Sequence, residues 1–513
     1  MFFILLLCFI VCLVFLRDYS RKRGHRWEKL SEFPGDTPIP IIGNGLQLGF
    51  NADKSTHKLL AMWERHGKQK IRLSLGSEDW ILLTDPDDIA TILNHPTEIS
   101  KPLERNMAMK PFFGNSVSTS EGDRWKSTRK LMAPSFNFNT LEGKVEDVNK
   151  YCDRLFEIFD NYDGKGHVEL YRYLRPFMYD ILCTSLMGVE TNLLADCDHP
   201  YLKASGKVIK IITHNFFSYW RNIRFLFKMT PQYREMMDTI KTIKQNSTNV
   251  GTKLIIRKIL NSKIEKTLTN NKNVDVDLEK IIESKLNNGE CLLDKFIFSK
   301  SSNGEPTSDD VINEEITLLC FTGHYTTTAT ISHTLYCLAK YPEIQNRVLE
   351  EQKSIFNNNL HNNPSTQELN QMKYLEAVIK ESIRVIPTVT KIGRQLQNDL
   401  TFKDGRVAPA GSSVLVFYDG AFKNPKVFPE PEKFNPERFL DSMHTFAFVP
   451  FSAGPRNCIG FRFAWVAMKA TISNILKRYE VMLGDAGTEP QFVSRLVTES
   501  INDIHIKLKK RNL

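Results

Sequence analysis

The sequence predicts a mainly α-helical fold with a small β part, and three observations carry that prediction. Long segments around 142–160, 170–188, 231–262, 309–340, 343–356, 368–386 and 460–479 repeat apolar residues at the three- and four-residue spacing of a helix face. Strand-like patterns are short: Ile71–Gly76 and Trp80–Thr84 as a hairpin running into Asp85-Pro86, then Thr401-Phe402, Val414–Phe417 and the last thirty residues. The composition, 41% hydrophobic and 25% charged over 513 residues, suits one large core and excludes disordered, collagen-like and multi-span membrane chains.

Taken in order, Met1–Leu16 is an unbroken apolar run, a little short of the roughly 20 residues that span a bilayer. No basic segment precedes it and no small-residue cleavage site follows, which favours an uncleaved anchor over a signal peptide. The flank Arg17, Arg21, Lys22, Arg23, Arg26 and Lys29 then holds the rest in the cytosol by the positive-inside rule. Three prolines between Phe33 and Asn44 predict a stiff connection. The expected organisation is an anchor over 1–18, a basic and proline-rich linker over 19–50, and one catalytic domain over 51–513. Asn-rich stretches at 357–363 and around 270–288 read as surface loops.

Nine cysteines, an odd number with no C-x-x-C pair, argue against a secreted disulfide framework. The net charge of +9 is spread without a run that would bind nucleic acid, and leaves an acidic protein partner open. Walker, dinucleotide-glycine and HExxH motifs are absent. The Asn246-Ser247-Thr248 triplet reads as a chance glycosylation acceptor in a cytosolic body.

The most specific feature is Phe451-Ser452-Ala453-Gly454-Pro455-Arg456-Asn457-Cys458-Ile459-Gly460. A lone cytosolic cysteine is ordinarily an inert buried hydrophobe. An iron-ligating thiolate needs a lowered pKa, dry surroundings and backbone N–H groups aimed at its sulfur, and flanking glycines permit that approach. Arg456 offers a fixed cation two residues away. Glu381-Ser382-Ile383-Arg384 places an acid and a base on one helix face, although Glu121 and Arg124 share that spacing.

With these motifs the chain resembles the cytochrome P-450 family of haem-thiolate monooxygenases, whose cysteine loop reads F-x-x-G-x-R-x-C-x-G. The resemblance implies the P-450 fold, with non-covalent haem b ligated by Cys458 and held with the help of Phe451, Arg456 and Gly460. It makes Glu381 and Arg384 the E-x-x-R pair, with Arg438 from Phe434-Asn435-Pro436-Glu437-Arg438-Phe439 as third member. Trp125, Arg129 and Arg394 become haem-propionate contacts. Asp309–Leu338 becomes the central helix over the haem, kinked around Thr322–Thr327, with Thr326 as the distal hydroxyl and Thr327 beside it. Electrons would come from NADPH through a cytochrome P-450 reductase, with cytochrome b5 as a second donor, at the endoplasmic reticulum membrane. The substrate would be a hydrophobic small molecule: a fatty acid, a lipid-like signal or a xenobiotic. His214–Trp220 and Pro111-Phe112-Phe113 would line its entrance or be plain core.

Leu292-Leu293-Asp294, Gly323-His324 and Arg129–Phe136 are most similar to the fatty-acid ω-hydroxylase branch and its insect relatives. Two positions depart from it. Thr322 stands where many members carry a glutamate that in some esterifies the haem, so no covalent link is expected. Tyr325 replaces the acid before the distal threonine, and a phenol of pKa about 10 relays protons poorly near neutral pH. The next acid along the helix, Glu315, lies eleven residues back from Thr326, roughly 16 Å away. Inefficient coupling is expected. A haem-thiolate isomerase or dehydratase, or a haem-binding protein without turnover, are the competing readings.

Overall fold

The computed structural model describes residue 13 and residues 24–40, 42–49, 51–76, 78–217, 224–250, 291–300 and 304–512. Among them lie twelve helices of eight or more residues: α1 (Ala52–Arg65), α2 (Pro86–Leu93), α3 (Leu103–Phe113), α4 (Gly122–Met132), α5 (Lys144–Phe159), α6 (Leu170–Leu182), α7 (Pro200–Phe217), α8 (Pro231–Val250), α9 (Asp309–Lys340), α10 (Pro342–Ile355), α11 (Lys373–Val385) and α12 (Phe461–Arg478). The strands are β1 (Ile71–Leu75), β2 (Glu78–Leu83), β3 (Val168–Glu169), β4 (Lys391–Gln395), β5 (Leu400–Thr401), β6 (Val407–Ala408), β7 (Ser413–Phe417), β8 (Tyr479–Leu483), β9 (Phe492–Ser494), β10 (Thr498–Ser500) and β11 (His505–Lys510). The expected helix-rich body with a small β part is therefore observed. The Met1–Leu16 run (Leu13 apart), the flank Arg17–Arg23, the end of the 231–262 segment and the 270–288 stretch lie outside the described residues. Among those described, no helix is long and apolar enough to cross a membrane.

The helix α9 is buried on nearly every side, so its apolar residues are not confined to one face. It is helical without interruption from Asp309 to Lys340, across the Thr322–Thr327 segment where a kink is expected. Gly323 has a packing role instead: a Cβ there would sit 2.4 Å from Leu182 Cδ1, where α6 crosses. The 368–386 segment divides at Met372, after a short Ser365-capped helix. The 170–188 segment ends in a π-helical turn at Cys183–Met187, with Gly188 left-handed at φ 63°.

The β part is closed by pairing of distant strands in the order β1-β2-β7-β4. β2 runs parallel to β7 with Trp80 opposite Ser413, and β4 runs antiparallel to β7 with Arg394 opposite Val414. Leu59, Met62 and Trp63 of α1 cover it, forming a small core apart from the main one. The proline-rich stretch is docked on β1. Asn44 Oδ1 accepts the Ser74 N–H at 2.8 Å, and Gly43, at φ 64°, leaves only 2.2 Å between a Cβ position and the Ser74 carbonyl.

Glu381 and Arg384, on consecutive turns of α11, are both fully buried and form two parallel bonds of 2.7 and 2.8 Å. Their remaining valences reach outward. Arg384 donates to the Phe422 carbonyl (2.9 Å) and the Lys433 carbonyl (3.0 Å), while Glu381 accepts the Asn435 N–H (2.8 Å). Arg438 approaches Glu381 at 3.4 Å and donates to the Pro429 and Glu430 carbonyls. The pair thus fastens the irregular chain leading to the cysteine loop. Replacing one member strands a buried charge, at a cost of about 3–5 kcal/mol. We expect Arg384→Met to abolish recovery of folded protein, or to lower its Tm by many degrees; an unchanged Tm would refute this role.

Glu315 of α9 accepts the Val117 N–H at 2.8 Å, and its second oxygen is buried with no partner among the described residues. Burial pushes its carboxyl from the usual 4.5 up to about 8. A raised folded pKa stabilises below the unfolded value, and that stabilisation is lost as pH rises through about 8. Between about pH 5 and pH 8 the Tm of the native protein should fall relative to Glu315→Gln; parallel profiles would contradict this.

Candidate functional site

The cysteine loop is built by close backbone approach. Cys458 N–H donates to the Phe451 carbonyl at 2.9 Å and Asn457 N–H to the Gly454 carbonyl at 3.1 Å. Gly454 has φ +68°, and a Cβ on it would lie 1.9 Å from the Leu93 carbonyl oxygen, so no other residue fits. At Gly460 the nearest atom to a Cβ position is 3.7 Å away. Its backbone N–H favours the Cys458 thiolate.

Cys458 is accessible at its surface, yet burial is the largest influence on its thiol and pushes it up, with the Gly460 N–H and Arg129 opposing. The two observations agree if the sulfur faces internal space rather than bulk solvent. Without a bound cation this site favours the thiol; a ligated metal would deprotonate it.

Around the loop the fold gathers cations. Arg129 and Trp125, four apart on α4, both face it as their spacing predicts. Arg129 donates to the Asn457 carbonyl (2.8 Å) and side chain. The Arg456 guanidinium stacks on the Trp125 ring at 4.2 Å, donates to the Ser120 carbonyl at 2.9 Å and pairs with Glu121. Arg394 donates to the Gly393 carbonyl (3.0 Å) and reaches Ser452 Oγ at 3.4 Å.

Two members escape sequence reasoning, Lys101 and Arg105, because no motif marks them. Burial, then repulsion from neighbouring cations, pushes Lys101 well down and Arg105 to about 10. Glu121 is the carboxylate that opposes this. The decoy E-x-x-R is resolved here: Glu121 turns to Arg456, and Arg124 pairs with Glu314 at 2.7 Å. Such an excess of buried and half-buried positive charge suits a dianionic ligand edge. The donor set thus fits an iron porphyrin, with a sulfur for the metal and cations for its propionates.

Next to these cations lies a cavity of ≈ 240 Å³ with a mainly apolar wall, into which Thr322, Tyr325 and Thr326 of α9 face. Thr326 Oγ1 donates to the Thr322 carbonyl at 2.9 Å. Thr327 is not brought to the cavity: it is buried and donates to the Gly323 carbonyl at 3.0 Å. Phe216 lines the cavity, whereas Phe112 and Phe113 are core. Ser218, Tyr219 and Trp220 lie outside the described residues.

Tertiary folding supplies an acid to Tyr325. Its hydroxyl donates to Glu499 of β10 at 2.5 Å, and Arg175 bonds both partners, at 3.0 and 2.9 Å. Burial nonetheless drives the phenol well above its ordinary range. Because Gly454 sets the loop, Gly454→Ala should yield protein that retains its helical circular dichroism but takes up no haem; full uptake would show the loop to be more yielding than its geometry.

The family model described as Cytochrome P450 matches residues 33–506. The chain is 29% identical to Cytochrome P450 4c3 of Drosophila melanogaster, covering 98% of this chain and 93% of that one. It is 30% identical to Probable cytochrome P450 4d20 of the same fly, over 96% of each. Identity is 29% to Cytochrome P450 4e5, mitochondrial, of Drosophila mettleri, over 94% of this chain and 88% of that relative. These insect relatives agree with the branch the motifs resemble. With a thiolate-bearing loop, a cation-rich rim and a match along almost its whole length, this chain belongs to the cytochrome P450 family of thiolate-ligated haem monooxygenases.

Proposed function

We propose that the protein inserts one atom of O2 into a hydrophobic substrate, a fatty acid, lipid-like signal or xenobiotic, with Cys458 as the ligand to haem iron. The observation that carries this reading is the Cys458 thiol in its glycine-flanked loop, close to Arg129 and to the cations that Arg456 and Arg394 bring to the loop. When bound, haem supplies the oxygen chemistry. The chain supplies the rest: Arg129, Arg394 and Arg456, joined by Lys101 and Arg105, hold the propionates, with the Trp125 indole among them. Phe451 and Gly460 shape the loop, and Glu381, Arg384 and Arg438 hold it in place.

Thr326 presents its hydroxyl to the substrate side; Thr327 supports the helix. In this reading residues 1–18 anchor the protein in the endoplasmic reticulum membrane, 19–50 connect, and 51–513 form the cytosolic catalytic domain. NADPH–cytochrome P450 reductase delivers electrons, with cytochrome b5 as an additional donor. A ferrous carbonyl spectrum tests the ligand: the native protein should show the thiolate band and Cys458→His should lose it. Turnover that continues without NADPH would replace this reading with an isomerase or dehydratase, and a thiolate band without turnover would leave a haem-binding protein.

Proton supply is the weak step. The phenol of Tyr325 is a poorer acid than an ordinary tyrosine and is held between Glu499 and Arg175. Product formed per NADPH consumed should therefore rise in Tyr325→Asp; equal ratios in the two proteins would end this account.

A further inference from the structure

The β9–β10 hairpin reaches the cavity with its turn: Arg495, Leu496 and Val497, between the paired Ser494 and Thr498, line the wall. Two strands of three residues each are a weak hairpin by themselves, so its place is set by what grips the turn. The grip is ionic. Arg495 gives two parallel bonds to Asp53 of α1 (2.7 and 2.8 Å) and a third to Glu499 Oε1 (2.8 Å). The other Glu499 oxygen accepts the Tyr325 hydroxyl of α9 (2.5 Å) and the Arg175 guanidinium of α6 (2.9 Å). Arg175 also lies over the Tyr325 ring at 4.7 Å, and that ring stacks at 5.6 Å on Phe321, a further wall residue of the cavity. Glu499 is thus a buried carboxylate with both oxygens taken; together with Arg495 it ties the hairpin to α1, α6 and α9.

A carboxylate shared by a phenol and two guanidiniums has little freedom, because displacing it breaks three charge-assisted bonds in a low dielectric. Burial keeps the Tyr325 phenol protonated, so it stays a donor. Neutral ties hold the turn as well: Leu496 N–H donates to Thr213 Oγ1 of α7 at 3.0 Å, and Thr498 N–H to the Thr388 carbonyl at 2.8 Å. These survive loss of the carboxylate, so the hairpin stays attached while its turn gains room. We propose that Glu499 and Tyr325 latch the β9–β10 turn against α9, and that this latch limits the size of the molecule the cavity admits. Tyr325 is part of the wall; Glu499 is a positioning residue that acts through Tyr325 and Arg495. This inference rests on the reading of the cavity as a monooxygenase substrate site.

The test titrates purified holoprotein with imidazole and with 1-tritylimidazole, a small and a bulky ligand of haem iron, following the haem absorbance shift. Glu499→Gln keeps one acceptor and turns the other oxygen into a donor that faces donors. It should lower the Kd ratio of the bulky to the small ligand about fivefold or more, while imidazole, too small to meet the turn, keeps its affinity within about twofold. Tyr325→Phe should lower the ratio likewise, and the double variant should go no further than about twofold beyond either single one, because all three open the same latch. If Glu499→Gln gives no folded protein, Glu499→Asp, which shortens the reach by one methylene and keeps the charge, takes its place in the same comparison. Unchanged ratios in the single variants, or effects that multiply in the double variant, overturn the latch. If the native protein shows the thiolate carbonyl band, the monooxygenase reading survives that failure; if the band is missing, the reading falls and the latch with it.

Discussion

The rest of the structure hangs on a charge pair that no water reaches. Glu381 and Arg384 are fully buried, and two charges there are tolerable only if every remaining lone pair and N–H is used. They recruit the Phe422 and Lys433 carbonyls, the Asn435 N–H and the Arg438 guanidinium. Those partners lie on a stretch with little regular structure of its own, which arrives at the cysteine loop. An electrostatic debt inside α11 thereby sets the path of a segment that hydrophobic packing alone would leave loose.

The second constraint has the opposite sign. Lys101, Arg105, Arg394 and Arg456 repel one another in a dry region where Glu121 is the opposing carboxylate. Folding can hold such a cluster because its arginines also donate to neutral groups: Arg105 to the Ser118 carbonyl at 3.0 Å, Arg394 to the Gly393 carbonyl at 3.0 Å and Arg456 to the Ser120 carbonyl at 2.9 Å. The residual field is what an anionic prosthetic group would neutralise. Cofactor binding and stability are then linked, since a ligand that binds only the folded state stabilises it by mass action.

The central helix shows how polar residues are absorbed when they cannot face water. Thr317, Thr322, Thr326, Thr327, Thr330 and Thr334 all donate to the carbonyl four residues back. That habit fills each hydroxyl's donor role without interrupting the helix. Tyr325 finds no backbone partner in reach and turns instead to Glu499 and Arg175. The buried Asn246 is spent in the same way, donating to the Tyr179 hydroxyl at 2.5 Å.

Much of this was legible in the chain itself. Helix period, the Asp85-Pro86 start, the cysteine decapeptide and the i, i+3 and i, i+4 pairings at Glu381/Arg384 and Trp125/Arg129 are local patterns, and local backbone geometry converts them directly into neighbours. The family followed from them. What only the tertiary structure decided were pairings between residues far apart in sequence: Glu121 with Arg456 rather than Arg124, Glu499 with Tyr325, Lys391 with Thr56, and Lys101 and Arg105 at the rim of the loop. Charge and hydrogen bonding act through space, and burial multiplies them. A sequence states which charges exist, and only the fold states which of them share a low-dielectric interior.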